Sequence, residues 1–146
     1  MRHLRTNARE TLTKMSRKTG IPVSSIYEQI KEFEGAAIKK HTCLLDFQKI
    51  GYDLRVTLLL KAKPSSKQDL QRFLSTHHQV NTVLRINNGY DFLAEVLFRN
   101  MSELQDFMDR LEELGVRERK EYYILEELQR ESFLTSEAHM EILAKN

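Results

Sequence analysis

Between residues 52 and 128 two hydrophobic periods alternate along the chain, and their order leaves few folds open. Leu54, Val56, Leu58 and Leu60 alternate with Arg55, Thr57, Leu59 and Lys61, the period of two expected of a strand. Pro64-Ser65-Ser66 ends that strand. Ser66 with Asp69 marks a helix start, followed by a stripe of Leu70, Phe73 and Leu74. Val80 to Ile86 reads as a second strand and Tyr90 to Phe98 as a third, joined through Asn87-Asn88-Gly89. Asn-Gly between two apolar runs is a strong hairpin signal. Asn100 with Glu103 caps the next helix, in which Leu104, Phe107, Met108 and Leu111 share a face until Gly115 stops it. Val116 to Leu128, rich in Tyr122, Tyr123 and Ile124, supplies the last strand. The order β-α-β-β-α-β is the ferredoxin-like split unit. Thr135 or Ser136 is expected to cap a final short helix through Ala144.

A different texture precedes this part. Residues 7–34, NARETLTKMSRKTGIPVSSIYEQIKEFE, read as two short helices hinged at Gly20-Ile21-Pro22. Asn7 is the expected N-cap of the first, with Glu10 three residues on to complete a capping box. The second runs from about Val23, with Ile26, Ile30 and Phe33 on one face. Ser24, Ser25, Tyr27, Glu28 and Lys31 are left for other faces. A tight turn between two short helices, with a polar outer face on the second, is the layout of a helix-turn-helix DNA reader. Ala36 to Asp46 reads as a short strand, either the wing behind a recognition helix or a plain connection.

The charge distribution agrees with that placement. The net charge is +2, but residues 1–42 hold nine Lys and Arg against four acids, a net of +5, and the remaining residues hold 14 against 17, a net of −3. A basic segment coinciding with a candidate reader is what attraction to phosphate requires. A solvated basic face has the same composition. No apolar run reaches bilayer length, and Met1-Arg2-His3 leads into polar sequence, so a cytoplasmic protein without a membrane partner is expected. Cys43 is the only cysteine, which excludes an internal disulfide and a cysteine-based zinc site.

The chain resembles the Lrp/AsnC (leucine-responsive, feast/famine) transcriptional regulators. Ser16-Arg17-Lys18-Thr19-Gly20-Ile21, Ser24-Ser25-Ile26 and Ile30-Lys31-Glu32-Phe33-Glu34 carry the resemblance first. It continues through Ile38 to Leu45-Asp46, Ile50-Gly51, and Asn88-Gly89-Tyr90-Asp91-Phe92-Leu93 followed by Met101-Ser102. The implied fold is α+β: an N-terminal winged helix-turn-helix over 1–46, then a ferredoxin-like, ACT-like βαββαβ domain over 51–134 for effector binding and assembly, with 135–146 a short helix or tail. The resemblance implies double-stranded operator DNA as partner, a homodimer that can assemble further into an octamer, and an amino acid or other small effector. It implies no cofactor. Carried onto this sequence, Asn88, Gly89, Tyr90 and Asp91 fall on the turn that borders the family's effector pocket, although the glycine here stands one place later than in the family pattern.

Within the reader, Arg9, Arg17, Lys18, Lys39 and Lys40 are candidates for phosphate contacts, which fix register without reading sequence. Ser24, Ser25, Tyr27 and Lys31 are candidates for base edges, and Glu28 either accepts from cytosine or pairs with a neighbouring cation. Asp91 suits an effector amine, or a bond to its own hairpin backbone. His77-His78, next to a helix end, are expected to cap it or sit in solvent rather than bind metal, and His41 has no partner at a recognisable ligand spacing. No Gly-rich phosphate loop, paired-carboxylate arrangement or nucleophile motif occurs, so no catalytic residue and no enzyme activity are expected. The second function compatible with the sequence is a ferredoxin-like small-molecule-binding or assembly protein that has lost DNA binding.

Overall fold

A computed structural model describes residues 1–136. The described residues form two compact units, one of residues 1–45 with 128–136, the other Asp46–Glu127.

In the larger unit the alternating periods become a four-stranded antiparallel sheet with two helices. Strands β1 (Leu54–Ala62), β2 (Val80–Arg85), β3 (Phe92–Phe98) and β4 (Val116–Tyr123) stand in the order β2-β3-β1-β4. Between β1 and β2 lies a helix, Lys67–Thr76; a second, Met101–Glu113, lies between β3 and β4. Val56, Leu58, Leu60 and Ala62 of β1 and Phe92, Ala94, Val96 and Phe98 of β3 are buried with Leu70, Leu74, Leu104, Phe107, Met108 and Leu111 of the helices. The register Leu58↔Ala94 puts these inward residues opposite one another. Among residues of the other face, Leu59 pairs with Leu93, Leu93 with Leu84, and Thr57 with Tyr122. Leu84 and Tyr122 are exposed there.

Local signals explain the joints. Asn88 and Gly89 have φ of 63° and 90°, the paired positive values that a tight hairpin turn favours. The Asn100 side chain accepts from the Glu103 N–H at 3.0 Å, and the Glu103 carboxylate accepts from the Arg99 N–H at 3.0 Å. Gly115 has φ +81°, and a Cβ there would lie 2.6 Å from Ser66 Oγ. β4 ends at Tyr123 rather than running to Leu128 as expected, because β1 begins at Leu54 and offers no ladder beyond the Ile124 N–H to Arg55 carbonyl bond.

The smaller unit departs further from expectation. Helix α1 is Arg2–Thr6, α2 is Leu12–Thr19 and α3 is Val23–Ala36; the two helices of the sheet unit are accordingly α4 and α5. Asn7 is not the N-cap of α2. It ends α1 and accepts from the Arg9 N–H at 3.0 Å, while Thr11 caps α2 by accepting from the Lys14 N–H at 3.3 Å. Gly20, in the left-handed conformation, ends α2 as its sequence suggests. The strand expected over 36–46 is absent, since α3 runs on to Ala36 and residues 37–45 form neither helix nor strand. An extended segment becomes a strand only when another satisfies its N–H and C=O groups. Among the described residues no strand pairs with it. The final helix expected through Ala144 lies outside the described residues.

Candidate nucleic-acid interface and ligand-binding turn

On α3 the apolar and polar positions separate cleanly. Ile26 is buried and Ile30 and Phe33 are half-buried, while Met15 is the buried residue of α2. Ser24, Tyr27, Glu28 and Lys31 are all exposed, and their i, i+3, i+4, i+7 spacing makes them one stripe. Ser25 is half-buried at its margin. The Lys31 ammonium lies 4.9 Å from the centre of the Tyr27 ring, so these two candidates act as a pair. Glu28 has no ion-pair partner among the described residues, and neither do Arg9, Arg17, Lys39 and Lys40, all exposed.

Lys18 differs from the other cations. Its ammonium pairs with Glu10, whose side chain is only 4% exposed and whose other oxygen lies 2.8 Å from His3 Nδ1. The hydrogen bond from Lys18 is the main influence holding the Glu10 carboxyl below its ordinary value. Much of the Lys18 charge is therefore spent inside the unit.

In the sheet unit the four turn residues diverge. Asn88 and Gly89 are exposed. Tyr90 donates its hydroxyl to Glu118 at 2.7 Å, with the Lys120 ammonium 5.5 Å from its ring centre. The Asp91 carboxylate accepts from the Ala62 N–H at 3.0 Å and meets the Lys67 ammonium at 2.5 Å. Asp91 thus ties the hairpin to the end of β1 and the start of α4, and an incoming amine has to displace Lys67. Burial raises the Asp91 carboxyl, but bonds from Lys67 and the Ala62 N–H outweigh it and leave the group below its ordinary 3.8. With the folded value depressed, the stabilisation is present above the unfolded pKa and fades as pH falls through the folded one. Between pH 6 and 3 the urea midpoint of the wild type is expected to fall more steeply than that of Asp91→Asn; equal slopes would show that Asp91 contributes nothing to the acid limb.

His77 is held by packing rather than left in solvent, and His41 pairs with Glu34 at 3.0 Å. His77 lies 4.7 Å from Phe73 and 5.1 Å from Phe107, centre to centre, and burial, then neighbouring His78, pushes its imidazole below the ordinary value. Cys43 is exposed, although a lone cysteine of this kind is expected to be a small buried residue. Among the described residues no helix is long and apolar enough to cross a membrane.

Comparisons with known proteins bear on the fold and the family. The family model described as the Lrp/AsnC ligand binding domain matches residues 55–132, just over half of the chain. The HTH-type transcriptional regulator FL11 of Pyrococcus horikoshii is 27% identical over 107 residues, covering 73% of this chain and 71% of that protein. The glutamate uptake regulatory protein of Zymomonas mobilis is 27% identical over 112 residues, covering 74% and 68%. Among solved structures, a transcriptional regulator from Neisseria meningitidis in complex with L-methionine superposes with a TM-score of 0.81 at 18% identity, covering 88% of this chain and 87% of that one. LrpC of B. subtilis superposes with a TM-score of 0.80 at 16% identity, covering 87% and 90%. These structural likenesses establish the fold, and the family model with the regulators it accompanies establishes the lineage: the chain belongs to the Lrp/AsnC family of transcriptional regulators.

Proposed function

We propose that the chain binds operator DNA by a winged helix-turn-helix in residues 1–46, with α3 in the major groove and Ser24, Ser25, Tyr27, Glu28 and Lys31 toward the base edges. The observation that carries this reading is the exposed stripe on the helix that follows the Gly20 turn. Arg9, Arg17, Lys39 and Lys40 meet phosphates, and Lys18 contributes less because Glu10 already holds it. The Lys31 ammonium, preset over Tyr27, reaches guanine acceptors without first being ordered.

The wing is the segment 37–45, which gains strand structure only when another segment pairs with it. Two copies associate through the helix-free face of the sheet, where Leu84 and Tyr122 are exposed, and dimers assemble further. The turn of Asn88, Gly89, Tyr90 and Asp91 borders a small effector; that the effector is an amino acid is supported by the L-methionine complex of the Neisseria regulator that shares the fold. The role is regulation, not catalysis.

The test is a salt titration of binding to the DNA upstream of the protein's own gene, against a scrambled duplex of equal length. Tighter binding upstream, with affinity falling steeply as salt rises, is the expected result. Equal, weak binding to both overturns this reading and favours an assembly or ligand-binding role. Lys31→Ala is expected to cost about 1–3 kcal/mol on the upstream duplex. Unchanged affinity and unchanged salt slope would remove Lys31 from the interface.

A further inference from the structure

Helix α1 has five residues, no buried side chain and no side-chain cap at its start. Helices shorter than about 12–15 residues are marginal in water by themselves, so something other than its own hydrogen bonds keeps α1 formed. His3 and Arg5 contribute to this. His3 reaches Glu10, as described above. Arg5 reaches across the sequence to the other end of the chain: its Nε donates to the Phe133 carbonyl at 3.0 Å, and one terminal nitrogen donates to the Glu131 carbonyl at 2.8 Å and the Glu131 carboxylate at 3.0 Å. The receiving loop is shaped for this, because Glu131 and Leu134 both adopt positive φ, 51° and 64°. The Thr135 hydroxyl closes the loop onto the Ser132 carbonyl at 2.6 Å. Non-glycine residues hold such conformations only where their surroundings over-determine them.

We infer that the C-terminal segment 128–136 is a working part of the DNA-binding unit, and that Arg5 is the positioning residue that fastens it to α1. A guanidinium suits the task because its planar fork engages two carbonyls and a carboxylate at once, which a lysine ammonium on a single centre does not reproduce. With its Nε and one terminal nitrogen held by the loop, Arg5 serves position rather than phosphate, although it counts toward the basic excess of the N-terminal segment. The inference rests on the DNA-binding reading for its functional half only. The tether itself belongs to the free protein.

The experiment uses the full chain with Arg5→Gln and Arg5→Lys, read in two ways. Amide hydrogen exchange without DNA is expected to rise in Arg5→Gln at positions 5 and 7, whose N–H groups bond the Met1 and His3 carbonyls and hold α1 formed, while β1 and β3 stay protected. Binding to the upstream duplex is expected to weaken about tenfold with an unchanged salt slope, and Arg5→Lys, which keeps the charge, is expected to restore little of it. Unchanged exchange in Arg5→Gln overturns the tether. A salt slope lowered by about one, with full rescue by Arg5→Lys, makes Arg5 a phosphate contact and overturns the positioning role. If the wild type binds neither duplex, the DNA-binding reading fails and with it the functional half, while the exchange experiment still decides the tether.

Discussion

Phe98→Ala is expected to bring the sheet unit close to unfolding at room temperature. Phe98 is fully buried at the end of β3, opposite Leu54, and meets Phe107 of α5 edge-on with ring centres 5.4 Å apart. Phe107 in turn packs against Phe73 of α4 at 5.6 Å, so one ring joins the sheet to both helices through a shared neighbour. Truncating a buried Phe costs about 3–5 kcal/mol, from lost transfer free energy and the cavity left behind. A unit of this size has a total stability of roughly 4–12 kcal/mol. A urea titration followed by far-ultraviolet circular dichroism should show the midpoint collapse, whereas Phe98→Leu, which keeps most of the volume, should retain most of it. A loss below about 1 kcal/mol for the alanine variant would mean that the ring is not packed as described.

The second large effect is expected in the N-terminal unit, where the margin is thinner. Met15 and Ile26 are its only buried apolar residues among those described. Ile26→Ala removes about 2–5 kcal/mol from a unit with little else to offset it. The expected outcome is loss of amide protection throughout α2 and α3, with operator binding weakened at least 100-fold, while β1 and β3 keep their protection as an internal reference. Lys31→Ala is the matched control, because it should weaken DNA binding and leave exchange alone. If Ile26→Ala bound DNA normally, α3 could not be the reading helix.

What was legible in the sequence was what neighbouring residues decide among themselves. The hairpin at Asn88-Gly89 and the cap at Asn100-Glu103 both depend on side chains within three or four residues of the backbone they shape. The core stripes were readable for the same reason, since Leu104, Phe107, Met108 and Leu111 show their shared face by spacing alone. The start of α2 was not, because Asn7 and Thr11 are both good caps and Glu10 turns to Lys18 and His3 instead of closing a box. The strand over 36–46 was misread because strand residues show their period whether or not a partner exists. At the Asn88–Asp91 turn, the sequence leaves Asp91 to an effector amine or to its own hairpin backbone, whereas the fold brings it to Lys67 and to the Ala62 N–H, 29 residues away. Nothing in the spacing announces such a partner, and nothing pairs Arg5 with residues 126 to 128 positions later.

That last separation also sets a clock on synthesis. Translation at about 5–20 residues per second leaves roughly 6–25 s between the emergence of Arg5 and that of the loop it grips. Throughout that interval the nascent N-terminal helix has its nearer tether, to Glu10, without the farther one. The basic segment is made earlier, yet it cannot take its final form until Glu131 and Phe133 have cleared the ribosome. A polypeptide that stalls before Glu131 therefore carries the positive charge of the reader without its finished shape, and competes poorly for the operator with the completed protein.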